Sequence, residues 1–140
     1  MAWEVEFTDE FEAWWDKLSA EEQEEINAKV ELLEERGPTL PRPHVDRIHQ
    51  SRHQNMKELR GELGGKSDKE LFAFDPRRTA LLLLGGDKTD DPSWYDRFVP
   101  IADDLFDQHL RELEDKRKKH EQEDKQHGKK LKKQQKKRKT

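Results

Sequence analysis

The residues able to do chemistry crowd into the middle of the chain. Residues 42–88 hold 10 Lys/Arg against 7 Asp/Glu, with His44, His49 and His53 in addition. Lys57, Arg60, Lys69, Arg77, Arg78 and Lys88 can supply cations, which suits contact with a polyanion or stabilisation of charge on a phosphate. Other chemistries lack their residues. The chain has no cysteine, hence no disulfide framework and no thiolate metal site. It contains no HExxH, no EF-hand loop and no carboxylate cluster with His at ligand spacing. Lys88 follows Gly85-Gly86-Asp87, but the spacing of a phosphate-binding P-loop is missing. No metal or other cofactor is expected.

The flanking segments differ in sign. Residues 1–41 carry 3 Lys/Arg and 13 Asp/Glu, and residues 114–140 carry 13 and 5, so the net charge of −4 hides an acidic start and a basic end. Polyanion contact is expected in the middle or the tail. No N-terminal stretch reads as a signal peptide. Nothing approaches the roughly 20 apolar residues of a membrane helix. Contact with a membrane is not expected, and a cytoplasmic location is.

Periodicity supplies the elements that must position these cations. Trp3, Val5 and Phe7 alternate with Ala2, Glu4 and Glu6, the pattern of a half-buried strand. Thr8 or Asp9 can cap a helix whose stripe is Phe11, Trp14, Trp15 and Leu18. Ser19-Ala20-Glu21-Glu22 is a capping box opening a second helix, with Ile26, Val30 and Leu33 inward and a stop at Arg36-Gly37-Pro38. A loop with three prolines follows, with a short extended piece near Val45–Ile48. Strands are expected at Met56–Glu62, Leu71–Phe74 and Thr79–Leu84. Asp75-Pro76-Arg77-Arg78 turns between the last two, and Gly85-Gly86 ends the third. Gly64 to Asp68 reads as a turn. Asp91-Pro92 starts a short helical turn, and Pro100 begins an amphipathic helix through Leu113. The fold class is α+β: a small twisted antiparallel sheet packed with an N-terminal helical hairpin and a C-terminal helix, in the order β-α-α-β-β-β-α. One domain spans 1–113, and 114–140 forms a Lys-rich low-complexity tail, partly helical or disordered.

Several stretches in this order resemble the HigB-like, phage-derived toxins of the RelE/ParE superfamily. They are Trp3 to Phe11, Leu32 to Pro38, Ser51-Arg52-His53 leading into Asn55 to Arg60, Leu71 to Arg78, Leu82 to Thr89, Trp94-Tyr95 and Pro100-Ile101-Ala102. The resemblance spans about residues 1–113. It implies a RelE-like fold and the toxin of a type II toxin-antitoxin pair, most often a ribosome-dependent mRNA endonuclease. The implied partners are mRNA, the ribosome and an antitoxin with a helix-turn-helix domain, through which alone operator DNA would be bound.

Such cleavage needs no metal. The 2′-hydroxyl attacks its own phosphate, so a site must remove that proton, stabilise the phosphorane and protonate the leaving oxygen. The resemblance implies catalytic roles for Lys57, Arg60, Lys88 and Tyr95: Arg60 and Lys88 on phosphate, Lys57 as base if neighbouring cations depress it, Tyr95 for stacking or proton transfer. Lys69, Arg77, Arg78 and His53 are expected to bind RNA. A regular strand would point Lys57 and Arg60 to opposite faces. The chain departs from the family at Lys69-Glu70, where an Arg and an apolar residue are usual. Lys lacks the guanidinium fork, and Glu70 adds an acid near the expected anion site. Two other readings stay open: a gyrase-poisoning toxin, and a degenerate toxin that only binds nucleic acid or antitoxin.

Overall fold

The computed structural model describes residues 2–138, with side chains through Lys125. Two compact units divide at Phe106 and Asp107. The first begins with strand β1 (Val5–Phe7), helix α1 (Asp9–Trp15) and helix α2 (Ala20–Arg36). Strands β2 (Val45–Arg47), β3 (Lys57–Leu63), β4 (Lys66–Phe74) and β5 (Ala80–Asp87) follow, and helix α3 starts at Trp94 and runs to Arg138.

Local chemistry sets most boundaries. Thr8 caps α1 by accepting from the Phe11 amide at 3.0 Å. Ser19 and Glu22 close the expected capping box at 3.1 and 3.2 Å. Gly64 and Gly65 take φ of +58° and +81° and make the tight turn joining β3 to β4. The turn is confined to these two residues, and Lys66 to Asp68 already belong to β4. At the Asp75 turn, the Asp75 carboxylate accepts from the amides of Arg77 and Thr79 at 2.8 and 3.2 Å.

The sheet order is β1-β5-β4-β3-β2, antiparallel from β5 through β2, with β1 joining β5 in parallel. Two expectations about its edges are corrected. The extended piece at Val45–Arg47 is a strand in its own right, paired with Lys57–Leu59. Gly85 and Gly86 lie inside β5 instead of ending it. Both are needed there as glycines: a Cβ on Gly85 would overlap the Trp14 ring, and one on Gly86 would meet Trp94 Nε1 at 2.6 Å. The register slips between Leu71 and Phe72, making Leu83 an extra residue on β5, and Thr8 Oγ1 donates to its carbonyl at 2.7 Å.

One sheet face carries a core of Phe11, Leu33, Leu40, Leu59, Phe72 and Leu82 under α1 and α2. Trp14 and Trp15 pack against it half-buried. Trp94, Val99, Ala102 and Phe106 of α3 are buried as well. The helix expected to start at Pro100 starts at Trp94, continuing the turn at Asp91, with Pro100 exposed inside it. Proline is tolerated there because it removes only one backbone bond, on the solvent side.

The second unit, from Asp107, is helical through Arg138. Arg117 pairs with Glu114 and Glu121 at helical spacing, 2.6 and 2.5 Å away. The later part of the expected tail, beyond Lys125, has side chains outside the described residues.

Candidate functional site

The strand β3 pairs with β4 without a break from Lys57 to Leu63, so its side chains alternate strictly. Leu59 joins the core under α2. Lys57 shares that face, its Nζ 5.7 Å from the centre of the Phe74 ring, and burial alone pulls its pKa down. Glu58 and Arg60 take the other face. The register sets Asp46 across from Glu58 and Lys69 across from Arg60, and Gly86 flanks Lys69 on β5.

A compact polar group results on that face. Glu58 is buried, and the Tyr95 hydroxyl donates to its carboxylate, 2.7 Å from Oε2 and 3.0 Å from Oε1. Burial and the Glu58 charge hold the Tyr95 hydroxyl well above the ordinary tyrosine range. Arg60 stands at the rim, 3.8 Å from Glu58 and 3.6 Å from Asp46. Lys88 lies over the Tyr95 ring at 4.5 Å. Lys69 is 5% exposed. Burial lowers its pKa; Arg60 and Lys88 lower it further, while Glu58 opposes them. Three cations and two carboxylates, Glu58 and Asp46, thus converge beside a tyrosine.

The structure brings together Arg60, Lys69, Lys88 and Tyr95 from the expected set, and leaves four residues outside. Lys57 is on the opposite face, because two residues an odd number apart in a regular strand diverge. Arg77 sits at the far end of β4, roughly 17 Å along the strand from Lys69 at the usual rise per residue. It is held there by Glu6 and Asp75, each 2.8 Å away, which raise its pKa. Arg78 of the same turn stacks on Trp3 at 4.7 Å. His53 packs edge-on against Phe106 at 4.9 Å, in a loop tied to α3 by Ser51 and Asp103 at 2.5 Å. Glu58 is a candidate that the sequence analysis did not single out. Its signal was the two-residue spacing to Arg60, which sets both on one face.

Glu70 is corrected too. It does not approach the cations; it faces α2, fully buried, with its Oε1 2.7 Å from Lys29. Lys29 also meets Asp68 at 2.5 Å and Glu25 at 3.6 Å. Burial pushes the Glu70 carboxyl well up and, with Asp68, raises Glu25 to about 7. Burial works against the Lys29 charge as well, but Glu70 and Asp68 outweigh it and hold its pKa high.

A cleft of about 540 Å³ runs over β3 at Gly61, where β2 has already ended. Glu25, Lys29 and Leu32 of α2 line one side, and Arg60, Lys69 and His44 the other. Gly61 is obligatory as its floor: a Cβ would overlap Glu25 and come within 2.6 Å of Lys29 Nζ.

Comparison with known proteins finds relatives in sequence and a similar solved structure. Two proposed toxins of Mycobacterium tuberculosis are close in sequence. HigB2 is 46% identical over 105 residues, 74% of this chain and 52% of its own length. HigB3 is 48% identical over 93 residues, 66% of this chain and 80% of its own. The chain thus spans about half the length of the first. A solved free-state mutant of the E. coli toxin RelE overlaps 67% of this chain and 92% of its own, with a TM-score of 0.47 and 12% identity. The model of the phage-derived Gp49-like family matches residues 13–107, which includes every member of the polar group, and the chain belongs to that family.

Proposed function

We propose that this chain is the toxin of a type II toxin-antitoxin pair and cleaves mRNA at the ribosome without a metal. The observation that carries the reading is the convergence of Arg60, Lys69 and Lys88 around the Tyr95–Glu58 pair on one sheet face. The relatives' description as toxins supports it. In this reading Arg60 and Lys88 hold the scissile phosphate. Lys69, nearly dry, offsets charge on the phosphorane. Glu58 takes the proton of the attacking 2′-hydroxyl, a role moved here from Lys57. The oxygen attacks phosphorus, the bond to the 5′-oxygen breaks, that oxygen takes up a proton from water, and a 2′,3′-cyclic phosphate remains. Tyr95 holds Glu58 in place and offers a face on which a base can stack. Lys57, Arg77, Arg78 and His53 have no part in the reaction.

An antitoxin with a helix-turn-helix domain silences the toxin, and operator DNA is bound through that partner. The acidic helices α1 and α2 suit a basic antitoxin surface. No described helix is long and apolar enough to cross a membrane, which is compatible with work at cytoplasmic ribosomes.

The test is expression without antitoxin. Growth arrest with new mRNA 5′-ends in primer extension is expected, lost in Lys69→Ala and in Arg60→Ala. Arrest with relaxed plasmid DNA and intact mRNA would replace this reading with gyrase poisoning.

A further inference from the structure

Beyond Arg60 the charged row continues onto β2. Asp46 pairs with Glu58 in the ladder and presents its carboxylate to two guanidinium groups. Arg42, in the loop before β2, donates to Asp46 Oδ1 from Nε at 3.1 Å and from Nη2 at 3.0 Å. The Arg47 amide donates to the same oxygen at 2.8 Å. Asp46 Oδ2 is left to Arg60 Nη1, 3.6 Å away. Burial works against the Asp46 charge, but Arg42, the Arg47 amide and Arg60 outweigh it and hold its pKa low. One ionised carboxylate thus stands between two cations.

Stability gives little reason for this arrangement. The Arg42 side chain is 72% exposed, and exposed ion pairs contribute little to folding. Both of its bonds go to one oxygen, whereas a fork-to-fork pair would occupy both oxygens of the carboxylate. Its Nη1 has no partner among the described residues. An exposed guanidinium with donors to spare suits a phosphate. Arg42 also offsets the Asp46 charge, which would otherwise repel an RNA strand lying beside Arg60. Such a strand carries a phosphate at every nucleotide, and grooves that hold single strands follow that backbone with successive cations.

We propose that Arg42 is a second phosphate site, which takes the phosphodiester next to the scissile one, and that Asp46 is the positioning residue that spaces Arg42 from Arg60. This rests on the reading of the Glu58–Lys69 face as an RNA-cleaving site. Arg42 touches backbone alone, so it adds affinity and sets the strand's register without reading a base.

The test is single-turnover cleavage of ribosome-bound mRNA by the full chain, with the cleaved bond mapped by primer extension. In two further mRNAs the phosphodiester on one or the other side of that bond is an uncharged methylphosphonate. For the wild type, one of the two replacements should raise the half-saturating toxin concentration about tenfold, as for one lost charge-assisted hydrogen bond. The maximal rate should change far less. Arg42→Gln should show the same rise on unmodified mRNA, and the methylphosphonate should then cost it nothing more. Arg42→Lys, which keeps the charge, should recover part of the loss. Asp46→Ala should shrink the methylphosphonate penalty as well, and an undiminished penalty there would overturn the positioning role. A folding defect would weaken cleavage of all three mRNAs alike and leave the penalty in place. Equal penalties in the wild type and Arg42→Gln, or no effect of Arg42→Gln, would overturn the phosphate site and leave the cleavage reading standing. No cleavage of any mRNA by the wild type would overturn both. Loss of antitoxin binding in Arg42→Gln with the penalty intact would also overturn the site and assign Arg42 to the antitoxin.

Discussion

Lys69 and Glu70 are consecutive on β4, yet they serve opposite faces of the sheet. Lys69 lies among Glu58, Arg60 and Lys88, while Glu70 is locked to Lys29 on α2, 2.7 Å away. The pair that looked like a defect is, in the proposed site, a cation in front and an anchor behind.

Removing the anchor's cation should be costly. Lys29→Met would leave Asp68 and Glu70 buried without their counter-charge, and we expect a loss of about 3–5 kcal/mol. The double change Lys29→Met with Glu70→Leu should recover a large part. Urea denaturation of the three proteins measures both.

The same cluster should make stability depend on pH. The folded value for Glu25, about 7, lies above its ordinary 4.5, so the native state keeps a proton that the unfolded chain releases. Its contribution is therefore complete below about pH 4.5 and is lost as the pH rises toward 7. Because Glu25 is partly exposed, solvent screening reduces the effect. Melting temperatures across this window should fall with rising pH more steeply in the wild type than in Glu25→Gln.

Cleavage should depend on Lys69 and not on Lys57. We expect Lys69→Ala to slow RNA cleavage roughly 10²–10³-fold, the cost of losing one preorganised stabiliser of transition-state charge. Lys57→Ala, on the opposite face, should change it only a few-fold. Primer-extension rates on one mRNA compare them, and a Lys57→Ala effect equal to that of Lys69→Ala would refute the assignment of faces.

Tyr95→Phe removes the hydroxyl that donates to buried Glu58 at 2.7 Å. The loss of a hydrogen bond to a charged group should cost about 1.5–3 kcal/mol. A urea midpoint unchanged from wild type would show that Glu58 does not depend on this bond.

Gly85→Ala should destabilise through overpacking, by about 1–3 kcal/mol, because the new Cβ overlaps the Trp14 ring. Thermal unfolding of Gly85→Ala alone and with Trp14→Leu checks this, since the second change makes room.

Much of this protein follows from local sequence. The capping box at Ser19, the Ile26–Leu33 stripe and the Asp75 turn depend on neighbours within a few residues, and each formed as expected, whereas the first stripe keeps Phe11, Trp14 and Trp15 but loses Leu18, because α1 ends at Trp15. The period of two along β3 already separated Lys57 from Arg60. Pairings between distant segments were not legible. Lys29 and Glu70 are 41 residues apart, Tyr95 and Glu58 are 37 apart, and β1 meets β5 across the whole sheet domain. Such partners are selected by sheet order and register, which depend on packing of the entire core and not on any local spacing. That is why the sequence by itself determined the elements and the facing of each strand residue, and only the tertiary structure decided that Glu58 and Lys69 share a site, that Glu70 leaves it, and that β2 stops short enough to open a cleft at Gly61.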